Sequence, residues 1–253
     1  MTSEETIPAP LRRLWRLAES SRLGRPAALD VDRVVAAAVE AADRDGLDGV
    51  TLPKVAKSLG VTGMSLYRHV GSKDELLTLM GDQALGTPPR VDAGDWRTGL
   101  DAWARAQRAV YQQRPWLAHL PVSGPPSGPH RIAWMEAALA ILAPTPLDWT
   151  HKIGALSLLG GYVVQTVRQD HELARGRADG ERQSDAERAY GRALAKLVDP
   201  ERFPETARLF SSALFETGPA HSSDAAIGDA DFTVGLELIL DGIAARVESA
   251  GPR

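Results

Sequence analysis

Apolar positions in this chain recur every three to four residues almost throughout, and no alternating run is long enough to make a strand. After Asp30, the residues Val31, Val34, Val35, Ala38, Ala41 and Ala42 form one stripe, which predicts a helix capped by Asp30 and running to about Asp45. Gly46 and Gly49 bracket the connection to Thr51–Tyr67, TLPKVAKSLGVTGMSLY, where two short helices are predicted around a tight turn. Thr51 can cap the first, and Pro53 is tolerated in a first turn that needs no internal N–H bond. Val55, Ala56 and Leu59 form its apolar stripe, Gly60 ends it, and Val61 plugs the turn. Thr62 is placed to cap the second helix, whose Leu66 and Val70 point inward. Ser72 to Glu75 is an S-x-x-E capping box opening a helix through Leu85, and Gly86-Thr87-Pro88-Pro89 closes the module.

Helical spacing resumes at Trp96 and continues through Tyr111, stopping before Pro115. Residues 121–129, PVSGPPSGP, read as loop. Further helices are predicted over His130–Ala143, Leu147 to about Arg175, Asp185–Val198, Pro204–Glu216 and Asp231 to about Val247. The fold class is therefore all-α, a small helical head followed by a larger helical body.

A 43% hydrophobic content in 253 residues supports a sizeable core, and no apolar run is long enough to span a membrane. The N-terminus lacks the basic-then-apolar order of a signal peptide. The absence of cysteine excludes disulfides, thiolate zinc sites and thiol catalysis, and fits a cytoplasmic protein. A net charge of −4 argues against indiscriminate coating of nucleic acid and shifts attention to local charge. Residues 11–25 carry Arg12, Arg13, Arg16, Arg22 and Arg25 against Glu19 alone. That stretch reads either as a solvated tail or as a basic arm in which Arg22 and Arg25 reach DNA beside the reading helix.

Catalytic patterns are absent: there is no G-x-S-x-G elbow, P-loop or G-x-G-x-x-G, and His171-Glu172 lacks the second histidine of a zinc helix. No enzyme, cofactor or metal is assigned. The binding pattern is stronger. With Leu66 and Val70 inward, Gly63, Met64, Tyr67 and Arg68 face outward on a short helix suited to a major groove. Lys54, Lys57, His69 and Lys73 gather positive charge where phosphates would lie.

TLPKVAKSLGVTGMSLYRHVGSKDELL resembles the DNA-binding signature of the tetracycline-repressor (TetR) family, over about Leu29 to Leu85. The resemblance implies a homodimer whose three-helix heads read half-sites of a palindromic DNA operator, with helical bodies that bind a small-molecule effector. By position it gives a basic N-terminal arm in residues 1–27, a helix-turn-helix domain in 28–88, and a ligand-binding and dimerisation domain in 92–253. Thr62, Gly63, Met64 and Ser65 then open the reading helix, while Tyr67, His69 and Lys73 match phosphate-contacting positions. Thr51 and Lys54 start the signature, and Arg68 can read a guanine or hold a phosphate. Gly63 and Met64 leave few donors for bases, which favours apolar contact with a thymine methyl.

In the body, Ala155–Glu172 and Phe232–Val247 resemble the long central helix and the final dimerisation helix of the tetracycline repressors proper. His119 falls where those proteins ligate a drug-bound magnesium, but Gln169 stands near where they use a carboxylate, so tetracycline–Mg²⁺ does not carry over. Aromatic and sulfur side chains predict an effector pocket walled by Trp96, Trp103, Trp116, Trp134, Met135 and Tyr162, with His119 and Gln169 as its polar members. Leu156, Leu159 and Val163 on one helix, and Leu236, Leu240 and Ile243 on another, form stripes that predict either a four-helix dimer interface or protomer core. The function expected is a sequence-specific repressor released by its effector. An activator, or a helical carrier or enzyme with a purely structural helix-turn-helix, is the alternative.

Overall fold

The computed structural model describes residues 7–17, 29–91, 94–122, 124–177, 180–215 and 224–251. The chain packs as two compact units, Met1–Val167 with Ile243–Arg253, and Arg168–Gly242. The first unit contains α1 (Ala9–Leu14), α2 (Val31–Asp45), α3 (Leu52–Ser58), α4 (Gly63–Val70), α5 (Lys73–Leu85), α6 (Trp96–Gln113) and α7 (Pro129–Leu142). It also takes the first part of α8 (Trp149–Gly176) and the end of α11 (Asp224–Ala250). The second unit holds α9 (Gln183–Leu197), α10 (Pro204–Phe210) and the greater part of α11. The described residues contain helices and no strands, and no helix among them is long and apolar enough to cross a membrane.

The head's helices start where short polar side chains can satisfy orphan backbone donors. Asp30 accepts from Arg33 N at 2.8 Å, Thr51 from Lys54 N at 3.4 Å, Thr62 from Ser65 N at 3.3 Å and Ser72 from Glu75 N at 3.0 Å. Caps of this kind contribute about 1 kcal/mol each. The capping box at Ser72 is only half formed. Ser72 N donates to Val70 O at 2.7 Å, and the Glu75 carboxylate is held by Arg13 instead. Between α3 and α4 the chain reverses at Gly60, whose φ of +67° suits a residue without Cβ, and Val61 N closes on Ala56 O at 3.0 Å. Val34, Val35, Ala38, Leu66, Val70 and Leu76 are fully buried and form the centre of the head.

The cap of α6 is Asp95, an exposed carboxylate that accepts from Thr98 N at 2.9 Å and Thr98 Oγ1 at 2.8 Å. Those hydrogen bonds, the backbone one first, hold its carboxyl below the usual range. In the second unit α10 ends at Phe210 rather than near Glu216, and a short tight turn covers Ala213–Phe215. Phe215 stacks on Phe210 at 5.3 Å and meets Tyr190 edge-on at 6.1 Å. Gly191 makes room for it, since a Cβ there would stand 2.6 Å from Phe215. α11 begins at Asp224, ahead of the Asp231 start that periodicity predicts. Asp224 is anchored within its own unit, by Arg177 at 3.2 Å and by Gln183 N at 3.0 Å.

Candidate nucleic-acid interface and body cavity

α4 presents its outer face to solvent because Leu66 and Val70 consume the inner one. Met64 is 70% and Tyr67 49% exposed, and Arg68 lies between them and the half-buried His69. Thr62 is exposed, while Gly63, Ser65 and Thr51 are partly covered. A Cβ on Gly63 would meet nothing within 4 Å, so packing does not require glycine there and the first turn of α4 is open to close approach. Lys54, Lys57, Arg68 and Lys73 are exposed, and among the described residues none has a carboxylate partner. Only Lys54 Nζ has a polar neighbour, Asp48 O at 3.5 Å. Exposed cations free of protein counter-ions around a capped helix are suited to phosphates.

The described part of the basic arm, residues 7–17, is tied to the head. Arg13 bonds both Glu75 oxygens at 2.8 Å, Arg16 Nε donates to Asp32 at 2.6 Å, and Leu14 is buried. Trp15 Nε1 donates to Ser127 O at 2.8 Å, so α1 and the residues after it strap α5 and α2 to the α6–α7 loop. Arg22 and Arg25 lie outside the described residues.

Three further ties join head to body. Asp43 on α2 accepts from Arg114 Nε at 3.1 Å and from Trp116 Nε1 at 2.7 Å. Asp82 on α5, 3% exposed, accepts from His130 N at 3.2 Å and Arg131 N at 2.9 Å, and its oxygen is 3.0 Å from His130 Nδ1. It thereby closes the first turn of α7, whose own cap position, Gly128, has no side chain to offer. Gly86 O, at the end of α5, accepts from Trp134 Nε1 at 3.0 Å.

A cavity of about 260 Å³ opens between α6, α7 and α8, with Leu85 of α5 at its edge. Of the residues predicted to line an effector pocket, Trp103, Trp134 and Met135 line this cavity. Trp96, Trp116, His119, Tyr162 and Gln169 do not. Trp116 is committed to Asp43, and Gln169 is exposed on α8. Sequence reasoning missed Gln107, Tyr111 and Arg131, which also line it. A signal existed: Trp103, Gln107 and Tyr111 are each four apart and share one face of α6. Tyr111 is buried, which raises its phenol above the usual value against the opposing pull of Arg131.

Of the two alternatives for the predicted stripes, burial within one chain agrees with protomer core. Leu159, Val163, Leu236, Leu240 and Ile243 are 0–5% exposed within one chain, so they have no surface left to give a partner. Leu156 lines the cavity. Large apolar side chains next to these stripes stay in solvent, among them Leu158 (63% exposed) on α8 and Leu238 (69%) on α11. Among the described residues no group of His, Asp and Glu stands close enough to hold a metal ion.

A helix-turn-helix with an open reading helix, tied through α5 to a cavity-bearing helical body, defines a one-component DNA-binding regulator. Residues 34–80 match the family model described as bacterial regulatory proteins, tetR family, and residues 88–247 match the tetracyclin repressor-like C-terminal domain. The chain belongs to the tetR family of transcriptional regulators. It is 35% identical to the HTH-type transcriptional repressor DrrR1 of Streptomyces coeruleorubidus, over 94% of this chain and 85% of that one. It is 29% identical to the class A tetracycline repressor from transposon 1721 of Escherichia coli, over 86% and 92%. Among solved structures, the tetR-family protein ActR of Streptomyces coelicolor in complex with actinorhodin superposes with a TM-score of 0.70 at 27% identity, covering 89% of this chain and 100% of that one.

Proposed function

We infer that this protein is a homodimeric repressor that binds a palindromic operator through α4 and is released when a small molecule occupies the body cavity. The observation that carries the reading is the open face of α4, with exposed Lys54, Lys57, Arg68 and Lys73 around it and no carboxylate partner for any of them among the described residues. Similarity to named repressors, and to a family member solved with a bound small molecule, supports it. Two heads related by a two-fold axis would enter successive major grooves about 34 Å apart. Tyr67, His69 and Lys73 position the head on phosphates, Arg68 reads a guanine or another phosphate, and Met64 offers apolar contact to a thymine methyl.

Release follows from the connections of α5. The helix carries the head at one end, and near the other Asp82 and Gly86 are bonded to α7, which also contributes Arg131, Trp134 and Met135 to the cavity. A ligand that favours a shifted α7 moves α5 and the head with it. Its leverage is its differential affinity for the two arrangements, about 1.4 kcal/mol for each tenfold.

In footprinting of the region upstream of its own gene, the protein is expected to protect a palindrome at low salt. Combining Tyr67→Ala with Lys73→Ala should weaken that binding at least tenfold, and flatten the dependence on log salt by about one unit per lost phosphate contact, while the fold is kept. Unchanged binding by the folded double variant would sink the reading.

A second copy of the chain is proposed as the cover of Leu238, exposed on α11. Leu238→Glu is expected to convert the dimer to a folded monomer in sedimentation velocity, and to cut operator affinity at least tenfold. A variant that sediments unchanged would place the interface elsewhere.

A further inference from the structure

We propose that the body cavity takes a small, flat, bicyclic aromatic acid carrying a hydroxyl group, with the hydroxyl on Gln107 and the acid group on Arg131. This rests on reading the cavity as the effector site, and goes beyond that reading in naming the ligand's chemistry.

The size comes first. About 260 Å³ lies just below the range of about 300–1,000 Å³ usual for small-molecule sites, which suits two fused rings better than four. The walls come next. Trp103 and Trp134 stand edge to face at 5.9 Å and 71°, and both indole N–H groups are already used, on Trp134 O and Gly86 O at 3.0 Å each. They therefore offer carbon surface alone, which a flat aromatic ring covers well.

The polar groups set the rest. Gln107 is 8% exposed, and its Oε1 is buried with no donor in reach. A buried acceptor without a partner is rare and costly, so a ligand O–H or N–H has a ready place there. Gly160 stands beside that oxygen, since a Cβ on it would lie 3.8 Å from Gln107 Oε1, and a longer side chain would crowd the group. Arg131 lines the same cavity and has no carboxylate partner among the described residues. Among the described residues no aspartate or glutamate lines the cavity, so a cationic ligand would meet like charge while an acid meets its counter-ion.

The test titrates the full-length protein with three probes: 6-hydroxy-2-naphthoic acid, 2-naphthoic acid, and (6-hydroxynaphthalen-2-yl)methylamine. Binding is read by tryptophan quenching and by calorimetry. The hydroxy acid should bind at least tenfold tighter than either of the others. Gln107→Met should erase the advantage of the hydroxyl and leave 2-naphthoic acid unchanged. Arg131→Met should erase the preference for acid over amine, and Gly160→Leu should block all three. Thermal melts confirm that each variant is folded. The proposal is overturned if no probe saturates, if the amine binds best, or if Gln107→Met weakens both acids equally. Operator binding by the unliganded protein is measured alongside. Intact operator binding with failed probes overturns the ligand chemistry alone, whereas failed operator binding overturns the repressor reading.

Discussion

Asp82→Ala is expected to lower the unfolding free energy by about 3 kcal/mol, measured by urea denaturation of the unliganded protein. The carboxylate is 3% exposed and accepts two backbone N–H groups in the first turn of α7, besides facing the His130 ring. Alanine leaves those part-buried donors without their partner, at about 1–3 kcal/mol each before any water enters. Asp82→Asn keeps one acceptor oxygen and should lose roughly half as much. Gly128→Ala is an independent probe of the same contact. Its backbone, at φ −84° and ψ 155°, admits alanine, yet the new Cβ would lie 2.1 Å from an Asp82 oxygen. It should therefore destabilise in the same direction without touching the carboxylate's chemistry. Both variants should also weaken the link between ligand and operator binding, because Asp82 is one of the ties between α5 and α7. A loss under about 1 kcal/mol for Asp82→Ala would mean that the contact is dispensable.

The second large effect is expected at Trp134. It is 2% exposed, donates to Gly86 O, and packs edge-on against Trp103. Trp134→Ala removes an aromatic core side chain and should cost about 3–5 kcal/mol, the spread reflecting how far α6 and α7 can close over the gap. Trp134→Phe keeps most of the apolar area but leaves the Gly86 carbonyl without its donor, and should cost less. The two variants separate packing from hydrogen bonding at the point where head meets body. If phenylalanine proves as costly as alanine, the hydrogen bond outweighs the buried area, contrary to this account.

The head was legible because its determinants are local. Thr51, Thr62 and Ser72 cap helices through donors three residues away, Gly60 reverses the chain where a Cβ is costly, and Leu66 and Val70 share a face by spacing alone. The half-formed box at Ser72 marks the limit of that logic. Glu75 has the right spacing to reach back, but a guanidinium 62 positions earlier takes it.

In the body, composition and periodicity located helices and apolar faces without saying what each face meets. Trp116 reads as pocket wall, and Asp43 of the head claims it. Leu159 and Val163 read as either interface or core; the chain buries them itself and leaves Leu158 outside. One residue along a helix is about 100° of rotation, so the same stretch supplies both a buried and an exposed stripe.

The sequence by itself therefore determined the all-α class, the capped helix-turn-helix with its open reading face, and the family, since each depends on residues within a turn or two of one another. Only the tertiary structure decided where Arg13 and Arg16 go, which tryptophans wall the cavity, and which stripe stays in water. Those outcomes depend on partners brought together across the fold, and a charge or an apolar face carries no record of which partner will reach it.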